Sequence, residues 1–198
     1  VIQGHLSMLA DQLPADNSHV DVIEDRLGNI TDLSEAARCI NQLEGDPEAG
    51  VTTTDISTLV DERIDRLEAD YPSAEVTATV PESAPATAHD LLAYALDNVL
   101  ENAVIHNPSS TPHVEVTVSE PTPGDYLTIR IADDGPGLPP AEQEVLTTDT
   151  ETPLSHSSGV GLWLTRWIVR SADGRVAVES SSSGGTCIVV RLLTPTVD

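Results

Sequence analysis

The chain has 198 residues, 39% of them apolar, and a formal charge of −24 from 33 acidic and 9 basic residues. All nine basic residues are Arg, and Lys and Phe are absent from the sequence. This composition argues against nucleic-acid binding through a basic surface and excludes a Walker-type phosphate loop, which needs a lysine. No apolar run approaches the roughly 20 residues that a membrane-spanning helix requires.

Residues 1–46 read as helix, turn, helix. Ile2, Leu6, Leu9 and Leu13 share one face at helical spacing. Pro14 to Ser18 has turn chemistry. A second helix is predicted over about 20–44, with apolar residues seven apart at Ile23, Ile30 and Ala37 and at Leu33 and Ile40. Gly45-Asp46-Pro47 stops it. Two such stripes are buried either by dimerisation into a four-helix bundle or by packing on the chain's own globular part.

From residue 51 onward the pattern is mixed α and β. Asp55 is placed to cap a helix ending near Tyr71-Pro72. Glu75 to Val80 alternates as a strand. A long helix is predicted from Thr87 to about His106, with Leu91, Leu92, Ala95, Leu96, Val99, Leu100 and Ala103 on its apolar face. Strands at Val114–Val118 and Tyr126–Ile131 follow, joined through Pro121 to Gly124. Residues 138–158 are polar and aperiodic, the mark of a functional or disordered loop. A helix from Leu162 to Ser171 and strands at Val176–Val178 and Cys187–Leu192 close the chain. The order predicts an α+β fold, a mixed sheet with helices on one face, preceded by the helical hairpin.

Three blocks carry chemistry. Asn98, Asn102 and the pair His106-Asn107 recur about one turn apart on the long helix. They form a polar stripe that is either solvated or offers hard amide oxygens to Mg²⁺. Asp133-Asp134-Gly135-Pro136-Gly137 ends a strand whose Ile129 and Ile131 point inward, so Asp133 sits at the mouth of the core. It is either an ordinary tight turn or a carboxylate that accepts a hydrogen bond from an exocyclic amine, beside glycines that let the backbone approach a flat ligand. Gly159-Val160-Gly161-Leu162 opens a helix whose N–H groups can meet phosphate oxygens. Gly184-Gly185-Thr186 is a further point of close approach.

In this order and spacing the blocks resemble the N, G1 and G2 boxes of the GHKL ATPases, most closely those of sensor histidine kinases. Leu100 to Asn107 resembles the N box, Ile131 to Pro139 the G1 box and Gly159 to Leu164 the G2 box. The resemblance covers about residues 51–194 and implies a Bergerat-type sandwich that binds ATP and Mg²⁺. It implies Asn102 as the metal ligand and Asp133 as the acceptor of the adenine amine. Asn98, His106 and Asn107 would face the phosphates, and Thr186 the adenine edge. Gly135, Gly137, Leu138, Gly159, Val160, Gly161 and Leu162 would complete the ATP site, with 138–158 as a mobile lid.

It also implies a cytoplasmic two-component kinase with a response regulator as partner, homodimeric through the 1–46 hairpin, without membrane contact from this segment. Gyrase-like ATPases carry a water-activating Glu one turn before the metal Asn. Asn98 stands there, which favours phosphoryl transfer over ATP hydrolysis coupled to movement. Kinases often carry a basic residue three places after the metal Asn. Ile105 stands there, which keeps open a nucleotide-binding dimerisation module without transfer activity. The lid aromatics of many kinases are missing. His5 precedes Leu6-Ser7-Met8 and His19 precedes Val20-Asp21-Val22, and neither matches an acceptor histidine. Val1 to His5 resembles the stretch about two helical turns downstream of that histidine, so the acceptor is expected upstream of Val1 and no catalytic residue is assigned within the chain.

Cys39 and Cys187 are too few and too far apart for a disulfide framework and read as reduced residues of an intracellular protein. The acids are dispersed rather than blocked, which separates this chain from a disordered acidic tail. It reads as adapted to very high salt, the alternative being an acidic protein of ordinary salt. Molar salt shortens the Debye length to about 3 Å and relieves self-repulsion. The melting temperature is therefore expected to rise between dilute buffer and molar KCl. An unchanged value would contradict salt adaptation.

Overall fold

The computed structural model describes residues 37, 38, 50–122, 124–140, 143, 146 and 160–196. Ala37 and Arg38 are helical, and the rest of the expected hairpin, with Cys39, lies outside the described residues. Strand β1 (Val51–Asp55) leads into helix α1 (Ile56–Asp70), followed by strands β2 (Glu75–Thr79) and β3 (Pro85–His89) and helix α2 (Leu92–Ile105). Strands β4 (His113–Val118) and β5 (Tyr126–Asp133), helix α3 (Val160–Ser171) and strands β6 (Arg175–Ser180) and β7 (Thr186–Leu193) complete it.

A five-stranded sheet runs in the order β2-β4-β5-β7-β6, and a two-stranded sheet pairs β1 with β3. The β2–β4 pair is parallel and the other pairs of the large sheet are antiparallel, so the sheet is mixed. This is the α+β sandwich that the element order predicts. Period-2 alternation sends Leu127, Ile129 and Ile131 of β5 and Ile188, Val190 and Leu192 of β7 into the core. There they meet Leu92, Leu96, Val99 and Leu100 of α2 and Leu164 and Ile168 of α3. Each such side chain, fully buried, contributes about 1.5–3 kcal/mol.

One segment departs from the sequence reading. Pro85 to His89 is a strand, and the helix starts at Leu92 rather than Thr87. The Ala-rich stretch has helix propensity, but it pairs antiparallel with β1, Thr87 opposite Thr53, and buries Ala84, Ala86 and Ala88. Tertiary pairing overrides propensity here. Strand β1 itself, short and Thr-rich, was not anticipated.

Helix α1 starts as its sequence implies. The Asp55 side chain accepts from Thr58 N (3.2 Å) and from the Ser83 hydroxyl (2.6 Å). These bonds, the Ser83 one foremost, hold the Asp55 carboxyl below its usual range. Helix α1 is fastened to α2 through Asp97, which meets Arg66 (3.1 Å) and Arg63 (3.5 Å). Burial nevertheless pushes the Asp97 carboxyl up, outweighing both guanidinium groups. The pair fixes how the helices sit more than it stabilises them. Cys187 is buried and free, and burial raises its thiol pKa.

Candidate functional site

Helix α2, the end of β5 and the start of β7 enclose a cavity of about 290 Å³. Its apolar surface comes from Val99, Ala103, Ile131, Leu138, Leu162 and Ile188. Its polar groups are Asn102, His106, Asn107, Asp133 and Thr186, and the Gly135–Pro139 turn forms one rim. The size sits at the lower end of the roughly 300–1,000 Å³ of small-molecule pockets, with the expected apolar lining and few polar groups.

Asp133 is held by the backbone. Its Oδ1 accepts from Gly135 N (2.8 Å) and Thr186 N (3.2 Å). Its Oδ2 forms no hydrogen bond to the described residues, so the carboxylate enters the cavity with one oxygen committed and one available. The arrangement depends on Gly185. A Cβ there would overlap Oδ1 of Asp133 and stand 2.5 Å from its carbonyl oxygen and 2.7 Å from Gly135 N. Gly137, with φ 82°, lets the turn curl past the cavity.

The asparagines that look equivalent in sequence have different partners. The Asn98 amide donates to Tyr94 O (3.0 Å), and a Cβ on Gly161 would stand 2.7 Å from its oxygen. Asn98 thus sits where α2 and α3 touch and does not line the cavity. Thr165 seals the same contact, its buried hydroxyl lying 2.9 Å from Gly161 O and 3.3 Å from Ala95 O. The Asn107 amide donates to Asp134 Oδ1 (2.6 Å) and its oxygen accepts from Ser109 N (2.9 Å). Asn102, half-buried in the cavity wall, has no side-chain hydrogen bond among the described residues. Ile105 is 56% exposed and turned away from the cavity.

Asp134 points away from the cavity, unlike its neighbour. Oδ1 also accepts from His113 N (3.1 Å). That backbone bond first, and then the Asn107 amide, hold its carboxyl below the usual value of 3.8. The stabilisation is present above that value and is lost as pH falls through the lowered one.

The structure therefore gathers Asn102, His106, Asn107, Asp133, Gly135, Gly137, Leu138, Leu162 and Thr186 around one cavity. Asn98 and Gly161 stand behind it at the α2–α3 contact, Val160 packs against the core without lining the cavity, and Gly159 lies outside the described residues. The sequence reading did not assign Val99, Ala103, Ile131, Pro136, Pro139 and Ile188 to the site. Their signal was the inward phase of β5 and α2, which reads the same for core and for cavity wall.

A model of the histidine kinase-, DNA gyrase B- and HSP90-like ATPases matches residues 87–196. The chain belongs to this ATPase family. It is 27% identical to the methanogenesis regulatory histidine kinase FilI of Methanothrix harundinacea, over 98% of this chain and 23% of that protein. It is 27% identical to the sensor-like histidine kinase SenX3 of Mycobacterium tuberculosis, over 96% of this chain and 50% of that protein. The chain thus spans a quarter to a half of these relatives. The crystal structure of the ATP-binding domain of PrrB from M. tuberculosis superposes with a TM-score of 0.59 at 25% identity, over 74% of this chain and 99% of that one. The family membership implies ATP as the ligand. The cavity fits its base on its own terms, with apolar walls for a flat ring and a fixed carboxylate for an exocyclic amine.

A Gly185→Ala variant must push back backbone atoms of Asp133 and Gly135 to fit its methyl group. Overpacking of this kind costs about 1–3 kcal/mol. Thermal unfolding is expected to shift down accordingly. An unshifted melting curve would show that the β5 and β7 ends are not locked as described.

Proposed function

We propose that residues 51–194 form the catalytic domain of a two-component histidine kinase, binding Mg-ATP with the adenine amine on Asp133. The observation that carries this reading is the Asp133 carboxylate, which lines a mostly apolar cavity and is anchored through Oδ1 by two backbone N–H groups, leaving Oδ2 without a hydrogen bond among the described residues. A carboxylate accepts from the amine of adenine and repels the carbonyl of guanine.

The other roles follow from position. Val99, Ala103, Ile131 and Ile188 exclude water from the base, and the Thr186 hydroxyl sits at its edge. The Gly135–Gly137 turn brings backbone close to the ligand. Asn102, without a protein partner among the described residues, is the group available to a Mg²⁺ ion, a hard cation that takes oxygen ligands. His106, exposed at the cavity edge, is available to phosphate oxygens. Bound Mg-ATP supplies the phosphoryl group and neutralises its charge, and the domain's own work is positioning. In this reading the acceptor is a histidine of a dimerisation bundle, reached through the 1–46 hairpin of a homodimer. The phosphoryl group then passes to a response regulator in the cytoplasm.

Transfer is favoured over hydrolysis by a specific observation. Among the described residues that line the cavity, Asp133 is the only carboxylate, so none of them offers a second acid to activate water. Asn98 occupies the place one turn before Asn102 and is spent on Tyr94 O and the Gly161 contact.

Two variants divide the site. Asp133→Asn keeps an oxygen for Gly135 N and Thr186 N but loses the charge. It is expected to weaken adenosine, ADP and ATP alike, by about 10- to 100-fold, as for a hydrogen bond to a charged group. Asn102→Ala is expected to weaken ATP only when Mg²⁺ is present. Calorimetric titration in molar KCl measures both, and wild-type ATP affinity in Asp133→Asn would overturn the adenine assignment.

A further inference from the structure

Opposite walls of the cavity come from distant parts of the chain. Helix α2 carries Asn102 and ends at its cap residue His106, and the end of β5 carries Asp133. Their separation decides whether one nucleotide can touch both. The adjacent acids Asp133 and Asp134 divide this task, since extended residues in succession point to opposite sides.

The fastening is a short chain of hydrogen bonds that starts at Asn107 in the cavity wall and runs away from the cavity. Asn107, just past the end of α2, donates to Asp134 Oδ1 at 2.6 Å. The same oxygen accepts from His113 N, the first residue of β4, at 3.1 Å. Asn107 Oδ1 accepts from Ser109 N at 2.9 Å, so both halves of its amide are bound by protein. One carboxylate oxygen thus ties together the end of α2, the start of β4 and the turn after β5. A carboxylate is the fitting group, because it accepts from two donors at once and strengthens both bonds with its charge.

We propose that Asp134 and Asn107 form a latch that sets the distance between the adenine-facing and phosphate-facing walls. Asp134 is then a positioning residue of the site, acting through Asn107, and Asn107 serves the latch rather than the ligand. The inference rests on the ATP reading above. It goes further by assigning a role to an acid that faces away from the ligand. Its consequence is selective. Adenosine meets Asp133 and apolar groups of both walls, which tolerate a small displacement, whereas ATP must also reach from Asp133 to the polar groups of Asn102 and His106. Loss of the latch therefore weakens ATP far more than adenosine.

The test is a swap of the two side chains. Asn107→Asp alone sets two carboxylates face to face where a 2.6 Å hydrogen bond stood. It is expected to lower ATP affinity about tenfold or more, in the range of a lost charged hydrogen bond, and adenosine affinity by less than about twofold. Adding Asp134→Asn removes the second carboxylate and lets an amide N–H meet the new carboxylate at position 107, at the expense of the His113 N bond, because one Oδ1 accepts both bonds in the unaltered chain. The double variant is expected to bind ATP several-fold more tightly than Asn107→Asp alone, the signature of direct coupling in a double-mutant cycle. A double variant as weak as the single one would overturn the latch. Equal weakening of ATP and adenosine in the single variant would overturn the positioning role and leave a merely structural bond. If the unaltered chain bound neither ligand, the ATP reading itself would fall, and the positioning role with it.

Discussion

The structure turns on the close approach of β7 to the end of β5. Gly185 lies against the Asp133 backbone with no room for a Cβ, and this contact brings Thr186 N to the Asp133 carboxylate. Gly135 N completes the anchor from the chain's own turn. A lone carboxylate at the edge of an apolar cavity is costly unless its charge is met by donors. Here two backbone N–H groups meet it at Oδ1 and leave Oδ2 for a ligand. In the proposed reading the acid is in place before a nucleotide arrives, so little reorganisation would be needed on binding.

The second constraint is where α2 sits, because it forms the wall opposite Asp133. Three contacts fix it. Asp97 meets Arg63 and Arg66 of α1 on one side, Asn98 and Ala95 meet Gly161 and Thr165 of α3 on another, and Asn107 meets Asp134 at the end. Asn98 and Asn107 each have a protein partner for the side-chain amide, whereas Asn102 forms no side-chain hydrogen bond among the described residues. In the proposed reading that leaves Asn102 as the asparagine available to a ligand. The family match over 87–196 implies ATP as the ligand, and the placement of its base in this cavity is what we propose.

Much of this was legible in the sequence. Inward alternation at Ile129 and Ile131 followed at once by Asp133 and glycines places a carboxylate at the edge of the core, and the structure has it there. The α1 cap at Asp55 is written in its side chain and spacing. Pro85 to His89 was not legible as a strand, because alanine favours helix and the partner strand lies over 30 residues earlier in the chain. Asn98, Asn102 and Asn107 share a residue type and nearly a helix face, so local pattern cannot separate them. Their roles are set by Tyr94 O, by an open cavity and by Asp134, the last 27 residues away. Val99, Ala103 and Ile188 were legible as apolar positions but not as cavity wall, since periodicity gives the phase of a side chain and not what it faces.

The central claim is that a single fixed carboxylate reads the base. Its most direct measurement is a pair of calorimetric titrations of the unaltered chain in molar KCl, one with ATP and one with GTP. The account predicts tighter binding of ATP by about 10- to 100-fold, because the carbonyl of guanine would face Asp133 Oδ2 with no proton between them. GTP binding as tightly as ATP would contradict it.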